Sequence, residues 1–302
     1  MNNSHFEAKM PSNIALIKYM GKKNSLNNSP SNPSLSYTLS HLTTDVKLIP
    51  IDNDHDKLDI NSDDKKKFID HLEFLRKKFN VQQHYEITSE NNFPSHCGLA
   101  SSASSFAALT KCAINAFGIT NISTEEMATL SQKGSGSSCR SFYSPWALWD
   151  EKGVKEIDLP YPKLIHHVIV VSQQKKCVSS REAHKRVESS LLFENRENRT
   201  QTRLHDLIHS LSTEDWEKSY KIVWQEFWDM HALFETCDNF FTYLLPESLT
   251  VLNYLRQYWQ KNHDGPLVTM DAGPNVHLLF REDQEPIAKS LKHHFQEMFT
   301  VL

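Results

Sequence analysis

The chain lacks the marks of several common functional classes. No G-x-x-x-x-G-K-[ST] occurs, so any nucleotide it binds is not held by a Walker loop. No C-x-x-C occurs either, and Cys97, Cys112, Cys139, Cys177 and Cys237 are odd in number and widely spaced. That pattern excludes a disulfide framework and a zinc site and fits a reducing cytoplasm. H-E-x-x-H is absent despite 16 histidines. His205 and His209 have i,i+4 spacing, but no carboxylate or third ligand accompanies them, and they read as a solvated helix face. No apolar run approaches the length of a membrane span and no N-terminal h-region is seen, so neither insertion nor secretion is expected. The 33 basic residues are scattered among 37 acidic ones, for a net charge of −4, and form no basic stripe for nucleic acid. A small-molecule partner is expected instead.

At 302 residues and 39% hydrophobic content the chain is long enough for a large core and two lobes. Residues 34–40 and 43–51 alternate polar with apolar or β-forming side chains, predicting two half-buried strands. Phe68, Leu72, Leu75 and Phe79 recur at spacings of 4, 3 and 4, predicting an amphipathic helix over 63–80 with a lysine-rich solvated face. An alanine-rich helix over 106–117, a short helix over 124–132 and strands over 154–159 and 164–172 follow, the last apolar enough to be central. Trp216, Tyr220, Val223, Phe227, His231 and Phe234 track one face of a long helix, and Pro246 starts another that ends near Asn262. Strands over 267–270 and 276–280 and a helix from about Pro286 complete the chain. The shift toward long helices places the lobe boundary near residue 165, with lobes at 1–165 and 166–302.

Five segments concentrate chemistry. Phe93 to Ser105, F-P-S-H-C-G-L-A-S-S-A-S-S, puts small side chains before an apolar helix, leaving backbone N–H groups open to a phosphate. Paired serines there also read as an ordinary N-cap. Lys18 interrupts a strand-like run, either snorkelling to solvent or held for a charged partner. G-S-G-S-S-C-R-S at 134–141 is a hydroxyl-rich loop carrying Arg140, whose fork suits a carboxylate or phosphate, or is a flexible turn ending in a surface arginine. K-K-C-V-S-S-R at 175–181 again sets basic residues beside serines. D-A-G-P-N at 271–275 is ordinary turn chemistry taken alone, yet it adds a carboxylate to several anion-binding loops, a combination that points to phosphoryl transfer.

Together the segments resemble the diphosphomevalonate (mevalonate diphosphate) decarboxylase family of the GHMP kinase superfamily. The resemblance rests on N-I-A-L-I-K-Y-x-G-K at 13–22, F-P-x-x-x-G-L-A-S-S-A at 93–103, G-S-G-S-x-C-R-S at 134–141, V-S-S-R-E at 178–182 and D-A-G-P-N at 271–275, in the family's order. M-H-A at 230–232 and T-Y-L-x-x-E-S at 242–248 extend it. It implies an α+β, two-lobed fold, with an N-terminal lobe like ribosomal protein S5 domain 2 and a C-terminal α+β lobe with an antiparallel sheet. It also implies ATP-dependent decarboxylation of (R)-5-diphosphomevalonate to isopentenyl diphosphate, a need for Mg2+, and a homodimer. By position, Gly98, Leu99, Ala100, Ser101 and Ser102 match the loop for the ATP phosphates, with Ser101 and Ser102 near the metal. Asp271 matches the catalytic carboxylate, Lys18 the lysine beside it, and Arg140 the residue that holds the substrate carboxylate. Asn13, Tyr19, Lys22, Ser135, Ser137, Lys175, Ser180 and Arg181 match substrate contacts. The helix over 65–79 is a candidate for the adenine.

Three positions depart from the family pattern: Met20 replaces a usual Trp, His184 stands near a family Met, and Ser144-Pro145-Trp146 replaces a glycine pair. The alternatives on the same fold are a phosphomevalonate decarboxylase and a mevalonate 3-kinase. Lys18 with Asp271 counts against the kinase, and Lys22, Lys175 and Arg181 favour a diphosphate. A non-catalytic small-molecule-binding homologue is the alternative from another class.

Overall fold

A computed structural model describes residues 5–24, 28–58, 65–94, 101–174 and 176–302. The chain begins with β1 (Phe6–Ile17), the short ribbon β2 (Lys22–Asn24) and β3 (Ser29–Pro30), then the 18-residue β4 (Ser34–Ile51) and β5 (Lys57–Leu58). Helix α1 (Lys65–Phe79), β6 (His84–Asn91), α2 (Ser101–Ala116), α3 (Thr124–Gly134), β7 (Trp146–Asp150) and β8 (Gly153–Glu156) complete the first sheet and its helices. Strand β4 is the spine of that sheet, pairing with β1, with β6 along its second half and with β7 along its first.

The two strands expected at 34–40 and 43–51 are one. Opposite β1 the register jumps from Thr43 at Pro11 to Leu39 at Ser12, so residues 40–42 form a bulge. Pro11, which has no N–H to donate, sits at the break. Helices α1 and α2 close one side: Phe68, Leu72, Leu75, Phe106 and Leu109 share a core with Met10, Val46, Leu48 and Ile87.

The rest of the chain runs through β9 (Leu164–Val170), α4 (Ser180–Arg186), α5 (Arg196–Ser212), α6 (Trp216–Thr236), α7 (Pro246–Asn262), β10 (Leu267–Met270), β11 (Val276–Arg281), α8 (Glu285–Gln296) and β12 (Thr300–Val301). Its sheet is antiparallel in the order β10-β11-β9-β12, which makes β9 internal as its apolar run predicts. Asp215 starts α6 by accepting the Lys218 N–H at 3.0 Å, and Pro246 sits in the first turn of α7. A single core joins both halves, since Ile14, Leu16, Ile17, Leu35 and Trp146 of the first sheet cluster with Val223, Phe227, Leu252, Met270 and Leu278.

Where β1 ends, the halves are also joined by charge. The Lys18 N–H donates to Glu226 Oε1 of α6 at 3.0 Å, and the Lys18 carbonyl accepts from Arg196 Nη2 of α5 at 3.1 Å and from Asn32 Nδ2 at 2.9 Å. Arg196 and Glu226 pair with each other at 2.6 Å, with exposures of 1% and 0%. Arg203 also reaches Glu226 (2.9 Å) and Asp229 (2.8 Å), and Asp229 pairs further with Arg196 and Arg199. Glu226→Ala would remove one of the two carboxylates that buried Arg196 pairs with, and the acceptor of the Lys18 N–H. We expect a loss of about 3–5 kcal/mol in urea unfolding, the usual cost of breaking a buried pair. A loss under about 1 kcal/mol would show that water replaces the carboxylate.

Candidate functional site

The site starts with Lys18, one residue beyond β1. Its side chain is buried at 2% exposure and donates to Asp271 Oδ1 at 2.7 Å, so of the two readings open in the sequence it is held for a charged partner. Burial works to raise the Asp271 pKa, but Lys18, His277 and Arg140 together outweigh it and hold the carboxyl below its ordinary range. Burial pulls Lys18 down, and the Asp271 charge opposes that pull. Asp271 lies in a pinned turn. Gly273 N–H donates to its carbonyl at 2.8 Å, His231 Nε2 donates to the same carbonyl at 3.2 Å, and Ser248 Oγ donates to the Pro274 carbonyl at 2.7 Å. Asn275 closes the turn with bonds in both directions to the backbone of Ser172 at 3.1 Å each.

Arg140 lies on neither a flexible turn nor the surface. Residues Gly136–Phe142 form a 3-10 helix directly after α3, and Arg140 is buried in it. The Ser138 hydroxyl, one of those that make this segment look like a loop, accepts from Ser131 Oγ of α3 at 2.6 Å and donates to the Ser135 carbonyl at 2.6 Å. Arg140 Nε donates to Asn13 Oδ1 (3.1 Å) and Nη1 to Ser34 Oγ (2.9 Å), while Trp149 lies under the guanidinium at 5.8 Å. Asn13 Nδ2 in turn donates to Ser141 Oγ at 2.9 Å and to the Ser137 carbonyl at 3.3 Å. Among the described residues Arg140 has no carboxylate partner and nothing accepts from its Nη2. A buried guanidinium that bonds only neutral oxygens is a ready anion receptor.

The remaining expected contacts spread over neighbouring elements. Tyr19 packs edge-on against Trp149 with centroids 4.7 Å apart, and its hydroxyl reaches the Asn28 carbonyl at 3.3 Å. Gly136 makes room for that ring, since a Cβ there would lie 3.0 Å from it. Ser135 and Ser137 face each other with oxygens 3.3 Å apart. Lys22 Nζ donates to Asn28 Oδ1 at 2.5 Å. Ser180 and Arg181 open α4, both exposed, and Ser180 Oγ accepts from Lys176 Nζ at 2.9 Å. Ser101 and Ser102 begin α2. Gly98, Leu99, Ala100 and Lys175 lie outside the described residues.

Several further residues belong to this site, of which Lys176 lies within K-K-C-V-S-S-R and His184 is one of the departures from the family pattern, neither given a role by it. Lys176 ties α4 to the Asp271 turn, donating to the Ala272 carbonyl at 2.8 Å as well as to Ser180. His184, in α4, accepts the Gly21 N–H on Nδ1 at 2.9 Å. Gly21 itself is at φ +91°, with Phe193 where a Cβ would point, so no other residue fits there. Glu226 and Arg196 grip Lys18 from helices about 200 positions away; only M-H-A, which includes His231, hinted at α6.

Among the described residues, no three His, Cys, Asp or Glu side chains cluster as a metal site, and His205 and His209 are both exposed on α5. Cys112, Cys139, Cys177 and Cys237 are free, and no described helix is long and apolar enough to cross a membrane.

Burial, then the charges of Arg181, Lys185 and Lys67, lower Lys22 to about 8. An NMR titration of 13C-labelled lysine side chains should show Lys22 losing its proton near that value, and Lys185→Gln should raise it. An ordinary lysine titration for Lys22 would mean that these cations do not converge.

Two family models cover nearly all of the chain: a diphosphomevalonate decarboxylase-like N-terminal domain matches residues 10–158, and a mevalonate 5-diphosphate decarboxylase C-terminal domain matches 166–301. A solved mevalonate diphosphate decarboxylase from Legionella pneumophila is 47% identical, covering 99% of this chain and 100% of its own, with a TM-score of 0.93. A second structure, solved in complex with MVAPP, AMPPCP and magnesium, is 29% identical over 99% of this chain and 95% of its own, with a TM-score of 0.89. The diphosphomevalonate decarboxylase of Saccharomyces cerevisiae is 30% identical, across 91% of this chain and 77% of its own length.

Proposed function

Because this chain belongs to the diphosphomevalonate decarboxylase family, we propose that it converts (R)-5-diphosphomevalonate to isopentenyl diphosphate with consumption of ATP and release of ADP, phosphate and carbon dioxide. The fold is that of the GHMP kinase superfamily and the chain is an enzyme of this decarboxylase type. The observation that carries the reading is the buried Lys18–Asp271 pair near an Arg140 that, among the described residues, hydrogen-bonds neutral oxygens and forms no ion pair. An ionised carboxylate of depressed pKa can accept or orient the proton of the C3 hydroxyl as that oxygen attacks the ATP γ-phosphate. Arg140 takes the C1 carboxylate, with Asn13 and Ser34 fixing the plane of its guanidinium. Loss of the new phosphate from C3 leaves positive charge there, and the electrons of the breaking C1–C2 bond quench it as carbon dioxide departs.

The cation set supports a substrate with a phosphate-bearing end. Lys22 and Arg181, which bear on each other electrostatically, and Lys176, which bonds Ser180 of α4, are the cations that would take it. Ser101 and Ser102 place two hydroxyls at the start of a 16-residue helix, where nucleotide phosphates are favoured by the helix dipole. The absence of a carboxylate cage among the described residues fits Mg2+, which binds chiefly through substrate phosphates and water. When bound, the ion neutralises charge on the transferring phosphoryl group; Ser101 and Ser102 are the described side chains that would reach it. The groove of about 500 Å³ between α1 and α3, lined by Phe74, Lys77, Lys78 and Lys133, supports the α1 region as the adenine side. Lobes at 1–165 and 166–302, a homodimer and a cytoplasmic location complete the reading.

The test is incubation with ATP and Mg2+ and each of 5-diphosphomevalonate, 5-phosphomevalonate and mevalonate, following ADP and carbon dioxide together. Equal release of both with the diphosphate is expected. ADP without carbon dioxide would make the protein a kinase, preference for the monophosphate would move the assignment to the sister decarboxylase, and no turnover would make it a binding homologue. Asp271→Asn removes the base and also the counter-ion of Lys18. It should lower kcat by about 100- to 10,000-fold while ATP affinity stays within about twofold. Turnover near the wild-type rate would remove Asp271 from the chemistry.

A further inference from the structure

His184 has a ring whose tautomer is dictated by its surroundings. A backbone N–H can only donate, so the Gly21 N–H at 2.9 Å makes Nδ1 an acceptor and leaves the ring proton on Nε2. The ring is buried against Tyr19, with centroids 4.4 Å apart, and no described residue accepts from Nε2. Its place in α4 is one turn after Ser180 and three positions after Arg181. Lys22 from β2, Arg140 from the 3-10 helix and Lys176 from the segment before α4 all bear on it electrostatically, and no acid opposes them there. Burial first, then these cations, lower its pKa to about 3, so the ring stays neutral throughout the physiological range.

We propose that His184 is a specificity-determining residue whose Nε2–H donates to a phosphoryl oxygen of the substrate's diphosphate. The inference rests on the substrate assignment made above. A neutral donor among cations serves an anionic ligand in a way a fourth cation would not. It adds a directed hydrogen bond without adding to the repulsion that already depresses Lys22. The Gly21 bond aims it, because that N–H belongs to the same short stretch that carries Lys18, Tyr19 and Lys22. His184 thereby couples the position of α4 to the strand end where the chemistry occurs.

Two substitutions separate this role from a merely structural one. In His184→Asn the side-chain oxygen can take the place of Nδ1 and keep the Gly21 bond, while the distal donor is lost. His184→Gln does the reverse. If His184 binds the substrate, Asn should raise KM for 5-diphosphomevalonate by about 10- to 100-fold with kcat and the KM for ATP within about twofold. Gln, which keeps the distal donor but loses the Gly21 bond that aims it, should raise that KM less than Asn does. If the ring only supports Gly21, Gln should be the damaged variant, in thermal stability and kcat alike, and Asn should behave as wild type; that ordering overturns the proposal. Calorimetric binding of inorganic diphosphate to the resting enzyme reads the same contact without turnover, and Asn should weaken it. Should wild type fail to turn over diphosphomevalonate while Asn still weakens diphosphate binding, the substrate assignment falls and the His184 contact stands. Normal turnover with unchanged KM and diphosphate affinity in Asn sinks the His184 contact alone.

Discussion

The backbone of Lys18 is the point on which the rest of the molecule depends. Strand β1 delivers it from the first sheet, yet its N–H, its carbonyl and its ammonium group all end on residues from the second half: Glu226, Arg196 and Asp271. Such an arrangement is costly, because Arg196 and Glu226 must lose their water, and a buried ion pair seldom repays that loss in stability. What it provides is position. Glu226 accepts from Lys18, Arg196 and Arg203 together, so its carboxylate is saturated and cannot swing away from the strand end. A lysine placed by backbone hydrogen bonds on both sides of its Cα has little freedom left except along its own stem. The 2.7 Å contact with Asp271 fixes that as well.

This dependence explains what sequence reading could and could not reach. Lys18 stood out because it breaks an apolar run, whereas Arg140 and Asp271, ordinary turn residues taken alone, stood out only through the ordered motifs that resemble the family. The long elements were legible for the usual reason of period, and α6 and α7 appear where their buried stripes and start signals put them. The join of residues 34–51 into one strand was not, since a bulge reads as a polar break in alternation unless the partner strand is known. Nor could period distinguish a flexible loop at 134–141 from a 3-10 helix. Ser138, which looks like a loop residue, is satisfied by Ser131 of α3 and by the Ser135 carbonyl. The grip on Lys18 was least legible of all. Arg196 and Glu226 sit in ordinary helical positions, and only folding across most of the chain brings them to β1.

The charge distribution of the site follows from the same geometry. The acids that approach it are already committed, Glu226 to Arg196 and Arg203 and Asp271 to Lys18, so they do not cancel the cations that face the substrate side. Arg140 bonds neutral oxygens, and Lys22 bonds the side-chain oxygen of Asn28. Burial first, and then the charges of Arg181, Lys185 and Lys67, lower Lys22 to about 8, the cost of holding a desolvated cation near others. Under the proposed function, an anionic group of the substrate would relieve that cost. This is electrostatic preorganisation: the donors are aimed before the ligand arrives and need not turn to meet it.

Neutral histidines suit such a site better than further charge. His231 and His184 are both buried, and burial with nearby cations lowers them to about 4 and about 3, so neither gains charge near neutrality. Each presents one nitrogen as a fixed donor or acceptor: His231 donates to the Asp271 carbonyl, and His184 accepts from Gly21. Hydrogen-bond direction is therefore set on both sides of the Lys18–Asp271 pair without altering its charge. A protonated ring at either place would compete with Lys18 for Asp271 or with Lys22 for the ligand. The depressed values keep both rings uncharged near neutrality, so His231 holds the turn and His184 the strand end while the carboxylate stays with Lys18.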